Sequence, residues 1–241
     1  MSSSTHRRAL ITGASSGIGQ ATTIAFAKAG IDVVLVSRTQ SKLDAVAAEA
    51  RSLGVNAHTC AIDLAEVAQV RSKLEACISE VGSIDILVNN AGMGYTGSLA
   101  EMSLSDWQRV MDLNVTSVFQ CIQAILPGMR AQKRGTIINI ASIAAHQTFP
   151  DWGAYCVSKF GILALSKTLA AEERSHGIRV VTLSPGSVNT PIWDTETVQA
   201  DFDRSAMLTP DIVADAIVQA ATLNNRAVVE EMILMPNAGT F

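Results

Sequence analysis

Tyr155-Cys156-Val157-Ser158-Lys159 sets a phenol and an ammonium four residues apart. If the segment is helical, positions i and i+4 share a face and the two groups are neighbours. A free phenol ionises at about pH 10. A nearby ammonium favours the phenolate, lowers that value and moves Tyr155 toward acid–base work. Ser142 follows a β-branched run, and Asn114 lies near the start of a long helical pattern. Each has a plainer reading alone: a Tyr–Lys pair suits a solvated helix face, and a serine after a strand suits a cap. Their order along the chain, together with a glycine-rich segment near the start, is what points to one reactive site.

That segment is Thr12-Gly13-Ala14-Ser15-Ser16-Gly17-Ile18-Gly19. It lies between a first strand pattern and a first helix pattern. Glycines there let backbone approach a pyrophosphate, and a helix N-terminus offers unpaired N–H groups and a positive dipole end. The spacing G-x-x-x-G-x-G departs from the general dinucleotide fingerprint, and a tight turn is the alternative. The second strand ends Val36-Ser37-Arg38-Thr39. An acid about 20 residues beyond the glycines marks NAD sites. Here Ser37 occupies that slot, and Arg38 can clamp a 2′-phosphate with its planar fork or be a solvated surface residue. Asp63, with Leu64 beside it, follows the third strand. It can accept from an adenine amino group or cap the next helix. Asn89-Asn90-Ala91-Gly92 ends the fourth strand, where small residues permit close approach of a cofactor or simply make a turn.

Stepping from these residues to their supports, β-branched runs at 8–11, 32–36, 55–61, 84–88, 136–140 and 179–183 alternate with helical patterns at 17–29, 41–53, 66–81, 105–129 and 152–175. A helix at 210–223 and a strand at 232–235 close the chain. The strands are nearly continuous Val, Ile and Leu, as buried parallel strands are. Such alternation predicts an α/β fold, a doubly wound parallel sheet with helices on both faces. No linker, repeat or low-complexity tract divides residues 1–241, so one domain is expected. Residues 187–208 break the alternation; Trp193, Phe202, Met207 and acidic residues there suggest an insertion over the site.

The 241 residues are 48% hydrophobic and 17% charged, enough for one large core. A formal net charge of −4 without a basic block argues against nucleic-acid or anionic-membrane partners. No apolar run is long enough to span a bilayer, and residues 9–11 are far too short for a secretory leader. Cys60, Cys77, Cys121 and Cys156 are widely spaced, so reduced thiols in the cytoplasm are expected. His6, His58, His146 and His176 show no ligand spacing, so no metal site is expected.

In this set of motifs the chain resembles the short-chain dehydrogenase/reductase family, from about residue 9 to residue 186. The resemblance implies a Rossmann-type sheet of order 3-2-1-4-5-6-7 and a tetrad of Asn114, Ser142, Tyr155 and Lys159. In the family, tyrosine protonates the carbonyl oxygen that serine hydrogen-bonds. Lysine binds the nicotinamide ribose, lowers the tyrosine pKa and relays protons through a water held by asparagine. Gly13, Ser15, Ser16, Gly17, Ile18, Gly19, Asn90, Ala91 and Gly92 fall at cofactor positions. Pro185-Gly186 resembles the turn under the nicotinamide, and Val188 and Thr190 match positions that contact its carboxamide. Ser37-Arg38 resembles the NADP-preferring members.

The expected activity is NADPH-dependent reduction of a small ketone or aldehyde, reversible as alcohol oxidation, by a homodimer or homotetramer. Met93, Tyr95, His146, Phe149, Trp152 and Trp193 are candidate substrate-wall residues, with core packing the alternative for the aromatics. A narrower alternative is the 3-oxoacyl-carrier-protein reductase of fatty-acid synthesis. Against it, Leu169-Ala170-Ala171-Glu172 lacks the arginine those enzymes carry there, and Met235-Pro236-Asn237-Ala238-Gly239 differs from their Val-Asp-Gly-Gly ending. Arg130, Lys133 and Arg134 could still form a basic patch. A non-catalytic NADP(H) sensor is a third alternative, but such a protein is expected to lose the tyrosine, lysine or serine, all retained here.

Overall fold

The computed structural model describes residues 7–200 and 203–239; His6 and Phe202 lie outside them. Seven strands form one parallel sheet: β1 Arg8–Thr12, β2 Asp32–Ser37, β3 Ala57–Ala61, β4 Ile86–Asn89, β5 Gly135–Ile140, β6 Ile178–Pro185 and β7 Glu231–Leu234. Their order is β3-β2-β1-β4-β5-β6-β7. The chain winds outward in one direction from β1 to β3, then returns to lay β4 on the other side of β1, with Ile11 opposite both Leu35 and Val88. That reversal leaves a crevice at the carboxyl ends of β1 and β4, the usual place for a ligand in such sheets.

Side-chain alternation gives the sheet two apolar faces. Ile11, Val33, Leu35 and Val88 pack beneath α1 (Gly17–Lys28), α2 (Gln40–Ser52) and α7 (Pro210–Thr222). Leu10, Val34, Val36 and Leu87 pack beneath α3 (Val67–Val81), α5 (Ser117–Gln132) and α6 (Gly153–Glu173). Phe26, Leu35, Leu74, Met129 and Ile162 are among the fully buried side chains. Burying one such side chain stabilises the fold by about 1.5–3 kcal/mol.

Three expectations need correction. The helix expected over 105–129 is interrupted: α4 (Leu104–Met111) is followed by a π-helical turn at Asp112–Thr116 before α5 begins. Asn114 sits in that turn and is 1% exposed. Single π turns inside α-helices insert a residue without ending the helix, and are frequent at functional sites. The thiols are not all free. Cys60 on β3 and Cys77 on α3 are joined as a disulfide, because α3 folds back against β3 and brings their Cα atoms to 6.5 Å, within bridging range. Cys121 and Cys156 are free and buried. Finally, β3 begins at Ala57 and β4 at Ile86, each two residues late, because parallel pairing with β2 and β1 starts only there.

Residues 187–208 stand outside the sheet. They contain two 3-10 turns, Pro191–Asp194 and Arg204–Ala206, and a short parallel bridge between Val188 and Leu208. No helix among the described residues is long and apolar enough to cross a membrane.

Candidate active site

The carboxyl edge of the sheet is tied together by side chains. Thr12 Oγ1, at the end of β1, accepts from the N–H groups of Asn90 and Ala91, both at 3.0 Å. Asn90 Nδ2 donates back to the Thr12 carbonyl at 2.9 Å. One strand deeper, Asn89 Nδ2 donates to Asn139 Oδ1 at 2.8 Å, and Asn139 Nδ2 donates to Ser166 Oγ on α6 at 2.9 Å. These buried amides hold β4, β5 and α6 in fixed relation, and α6 carries Tyr155 and Lys159.

Lys159 is 6% exposed and donates to the Ile140 carbonyl at 2.9 Å, which anchors α6 to the end of β5. Burial pulls its ammonium down to about 8. Its Nζ lies 5.5 Å from the centre of the Tyr155 ring. Burial also holds the Tyr155 phenol above its ordinary value, and the side-chain hydrogen bond with Ser142 opposes that rise. This reverses the expected direction. Leaving water outweighs the Ser142 bond, and the Lys159 ammonium is directed at the Ile140 carbonyl. Ser142 is the cap of a 3-10 turn at Ile143–Ala145, and its hydroxyl accepts from Ala144 N–H at 3.1 Å, which fixes the side chain.

Asn114 works from behind the cavity wall. Its Oδ1 accepts from Met93 N–H at 2.8 Å and its Nδ2 donates to the Met93 carbonyl at 2.9 Å. The same Nδ2 donates to Ser158 Oγ at 3.0 Å. The extra residue of the π turn thus lets Asn114 grip both the loop after β4 and α6. Ser158, which sequence reasoning passed over, lies between Tyr155 and Lys159 and receives that bond; its spacing from Tyr155 was the available signal.

A cavity of about 780 Å³ runs along this edge. It is lined by Gly13, Ser15, Ser16, Gly17 and Ile18 at the first loop, Ser37 and Arg38 after β2, Asp63 and Leu64 after β3, and Asn90, Ala91, Gly92 and Met93 after β4. Ser142, Tyr155, Lys159, Pro185, Gly186, Val188 and Thr190 complete its inner wall. Gly19 is not in the lining; a Cβ there would drive into the Gly13 carbonyl, so this glycine lets α1 approach β1. Gly13 has φ +66°, which a side chain would strain. Ser16, at the N-cap of α1, makes no side-chain cap bond, so the helix end faces the cavity without a protein acceptor from that residue.

The residues present fit a dinucleotide. Ser37 Oγ is buried without a hydrogen-bond partner. Lys42, one helical turn beyond Arg38, also lines the cavity there. Asp63 Oδ1 accepts from Ala65 N–H at 3.0 Å, and the N-cap of α3 is Glu66, so Asp63 shapes the loop rather than capping that helix.

At the other end, Phe149, Trp152, Trp193 and Met93 line the cavity. Trp152 meets Tyr155 edge-on at 5.3 Å and Trp193 edge-on at 5.9 Å. Tyr95 and His146 are not in the lining. Tyr95 donates to Asp106 at 3.2 Å, and loss of solvent, reinforced by that carboxylate, raises its phenol. His146 Nε2 lies 3.0 Å from Ser184 Oγ and 3.4 Å from Glu231, at the β6–β7 side. Among the described residues no group of three His, Cys, Asp or Glu side chains is placed to hold a metal ion.

The model of the short chain dehydrogenase family matches residues 7–201. The chain belongs to the short-chain dehydrogenase/reductase family. A sepiapterin reductase of Chlorobaculum tepidum is 36% identical, with 95% of this chain and 96% of that one covered. A 3-oxoacyl-[acyl-carrier-protein] reductase of Synechocystis is 38% identical over 83% of this chain and 81% of that one. Among solved structures, a metagenomic short-chain oxidoreductase in complex with NADP is 33% identical, with a TM-score of 0.84 and coverage of 96% and 97%. Membership makes this chain an oxidoreductase that binds a nicotinamide cofactor and acts on a small-molecule substrate.

Proposed function

We propose that this short-chain dehydrogenase/reductase uses NADPH to reduce a compact apolar ketone or aldehyde, with Tyr155 as the proton donor. One observation carries the reading: Ser142, Tyr155 and Lys159 converge on the cavity that also opens onto the glycine loop and Arg38. The bound nicotinamide supplies the hydride. Ser142 and Tyr155 direct two hydroxyls at one carbonyl oxygen, which orients it and stabilises charge developing there. A phenol held above its ordinary value stays protonated at neutral pH and can donate to the carbonyl oxygen. Lys159, drawn down to about 8, exchanges protons near neutral pH and can resupply the phenol. Trp152 and Trp193 offer an apolar slot beside the phenol.

For the cofactor, Ser37 in place of an acid and the cations Arg38 and Lys42 favour a 2′-phosphate. The chain acts as one Rossmann-type unit with residues 187–208 laid over the site, as a homodimer or homotetramer. The carrier-protein reading is weaker on the geometry. Arg130 is committed through Nε and Nη2 to the fully buried Glu173, and Arg134 pairs with Asp85 at 3.1 Å. Two of the three basic residues that would dock an acidic carrier are therefore already paired. The test is NADPH consumption across ketones, aldehydes and a 3-oxoacyl thioester presented on a short thiol and on its carrier. Small ketones turned over, with no salt-sensitive gain from the carrier, support the proposal. A large salt-sensitive gain overturns it in favour of the carrier-linked substrate.

A further inference from the structure

Ser187, Val188 and residues 190–197 line the cavity, yet apart from the 3-10 turn at Pro191–Asp194 they lie outside regular structure. Thr190 lies against the glycine loop: a Cβ on Gly17 would meet its Cγ2 at 3.2 Å. Trp193 lies on Trp152 and donates from Nε1 to the Val188 carbonyl at 2.8 Å. A dinucleotide running from the first loop to Tyr155 would lie along this segment, whose Ser187, Val188 and Thr190 line the same cavity.

One side chain spans the segment from outside the cavity. Arg204 Nε donates to Asn189 Oδ1 at 2.9 Å, and Nη2 donates to the Thr190 carbonyl at 3.0 Å. Nη1 donates to Asp194 Oδ1 at 2.6 Å, with Nη2 at 3.4 Å from Asp194 Oδ2. Every nitrogen of the guanidinium is used, on three residues that flank the Thr190 contact. The base of this arginine is itself held. Asp203 Oδ1 caps its 3-10 turn through Ser205 N–H at 2.9 Å, and Leu208 exchanges backbone bonds with Ser187 and Asn189 at 3.0 and 2.9 Å.

We infer that Arg204 is a positioning residue that latches residues 189–194 over the dinucleotide and sets how fast the cofactor leaves. The guanidinium touches neither substrate nor cofactor; it acts through Thr190 and Trp193. Only a planar fork reaches all three partners at once, and an ammonium keeps the Asp194 pair alone. The inference rests on the reading that the cavity takes a dinucleotide, and is independent of which carbonyl is reduced.

The experiment measures the dissociation rate of bound NADPH by stopped-flow fluorescence, or of NADH if that binds more tightly, for the wild type, R204A, R204K and D194N. R204A should release cofactor about tenfold faster, the equivalent of one charge-assisted hydrogen bond. R204K and D194N should fall between it and the wild type. The thermal unfolding temperature without cofactor should move little, since a merely structural role would shift it and leave the rates alone. Should R204A fail to fold, D194N decides by itself, because it removes the charge pair and keeps the shape. Release rates for R204A, or for D194N in that case, equal to the wild type overturn the inference. Altered release in an enzyme that reduces no carbonyl would leave the latch standing and remove the proposed function instead.

Discussion

Replacing Lys159 by Met should stabilise the fold at neutral pH while abolishing the site. Lys159 is 6% exposed, and burial moves its ammonium from 10.5 to about 8. That gap is about 2.5 pH units, which at about 1.4 kcal/mol each is about 3.5 kcal/mol against the folded state. The sign follows from proton linkage. Between about pH 8 and 10.5 the unfolded chain holds the lysine proton and the folded chain does not, so wild-type stability rises with pH through that window. Below about 8 both states hold it and the full penalty applies. Methionine is close in length and carries no charge, but it leaves the Ile140 carbonyl without its donor, a loss of about 1–2 kcal/mol. At pH 7 the variant should therefore be more stable by about 2 kcal/mol. By pH 10.5 the difference should have fallen by about 3 kcal/mol, leaving the wild type the more stable. Urea unfolding of both proteins at matched concentration, at pH 7 and pH 10, reads the difference directly. A difference that does not change with pH would refute the reasoning, since it would mean that burial does not hold the charge back.

Converting Ser37 to Asp together with Arg38 to Leu should invert an initial preference for NADPH. The change in the ratio of kcat/KM between the two cofactors should be at least about a hundredfold, because attraction is exchanged for repulsion at one phosphate; equal wild-type efficiencies would count against the argument. Gly19→Ala should abolish dinucleotide binding and destabilise by about 1–3 kcal/mol, since the Gly13 carbonyl cannot yield to a methyl group without moving the loop. Isothermal titration and thermal unfolding check the two effects. Phe119 on α5, with Val157 and Phe160 on α6, are each more than two-fifths exposed. These helices should pair across a two-fold axis, and light scattering should show a dimer or tetramer at micromolar concentration, with a stable monomer contradicting it.

Much of the site was legible because its residues sit at strand ends. Once the apolar runs are placed, Thr12, Ser37, Asn90, Ser142 and Pro185 must fall on one edge of a parallel sheet, and the i, i+4 spacing brings Tyr155 and Lys159 together. What escaped depends on tertiary packing. The pattern over 105–129 keeps a helical period throughout, so nothing local marks the π turn; the demand comes from Asn114 reaching both Met93 and Ser158. The direction of the Tyr155 shift is set by burial, which spacing does not reveal. Tyr95 and His146 leave irregular loops, where the sequence does not determine which way a side chain turns, and both turn from the cavity toward partners of their own. Cys60 and Cys77 belong to different elements, and only the docking of α3 on β3 makes them neighbours.

The central claim is that Tyr155 gives the proton. In Tyr155→Phe the ring and its edge contact with Trp152 remain, and only the phenol oxygen is lost. Single-turnover reduction of a ketone that the wild type accepts, with cofactor saturating, isolates that loss from binding. The account predicts a rate lower by at least about 10²–10⁴-fold, the usual range for a general acid, with NADPH affinity largely kept. A variant that reduces the ketone at a near-wild-type rate would contradict it.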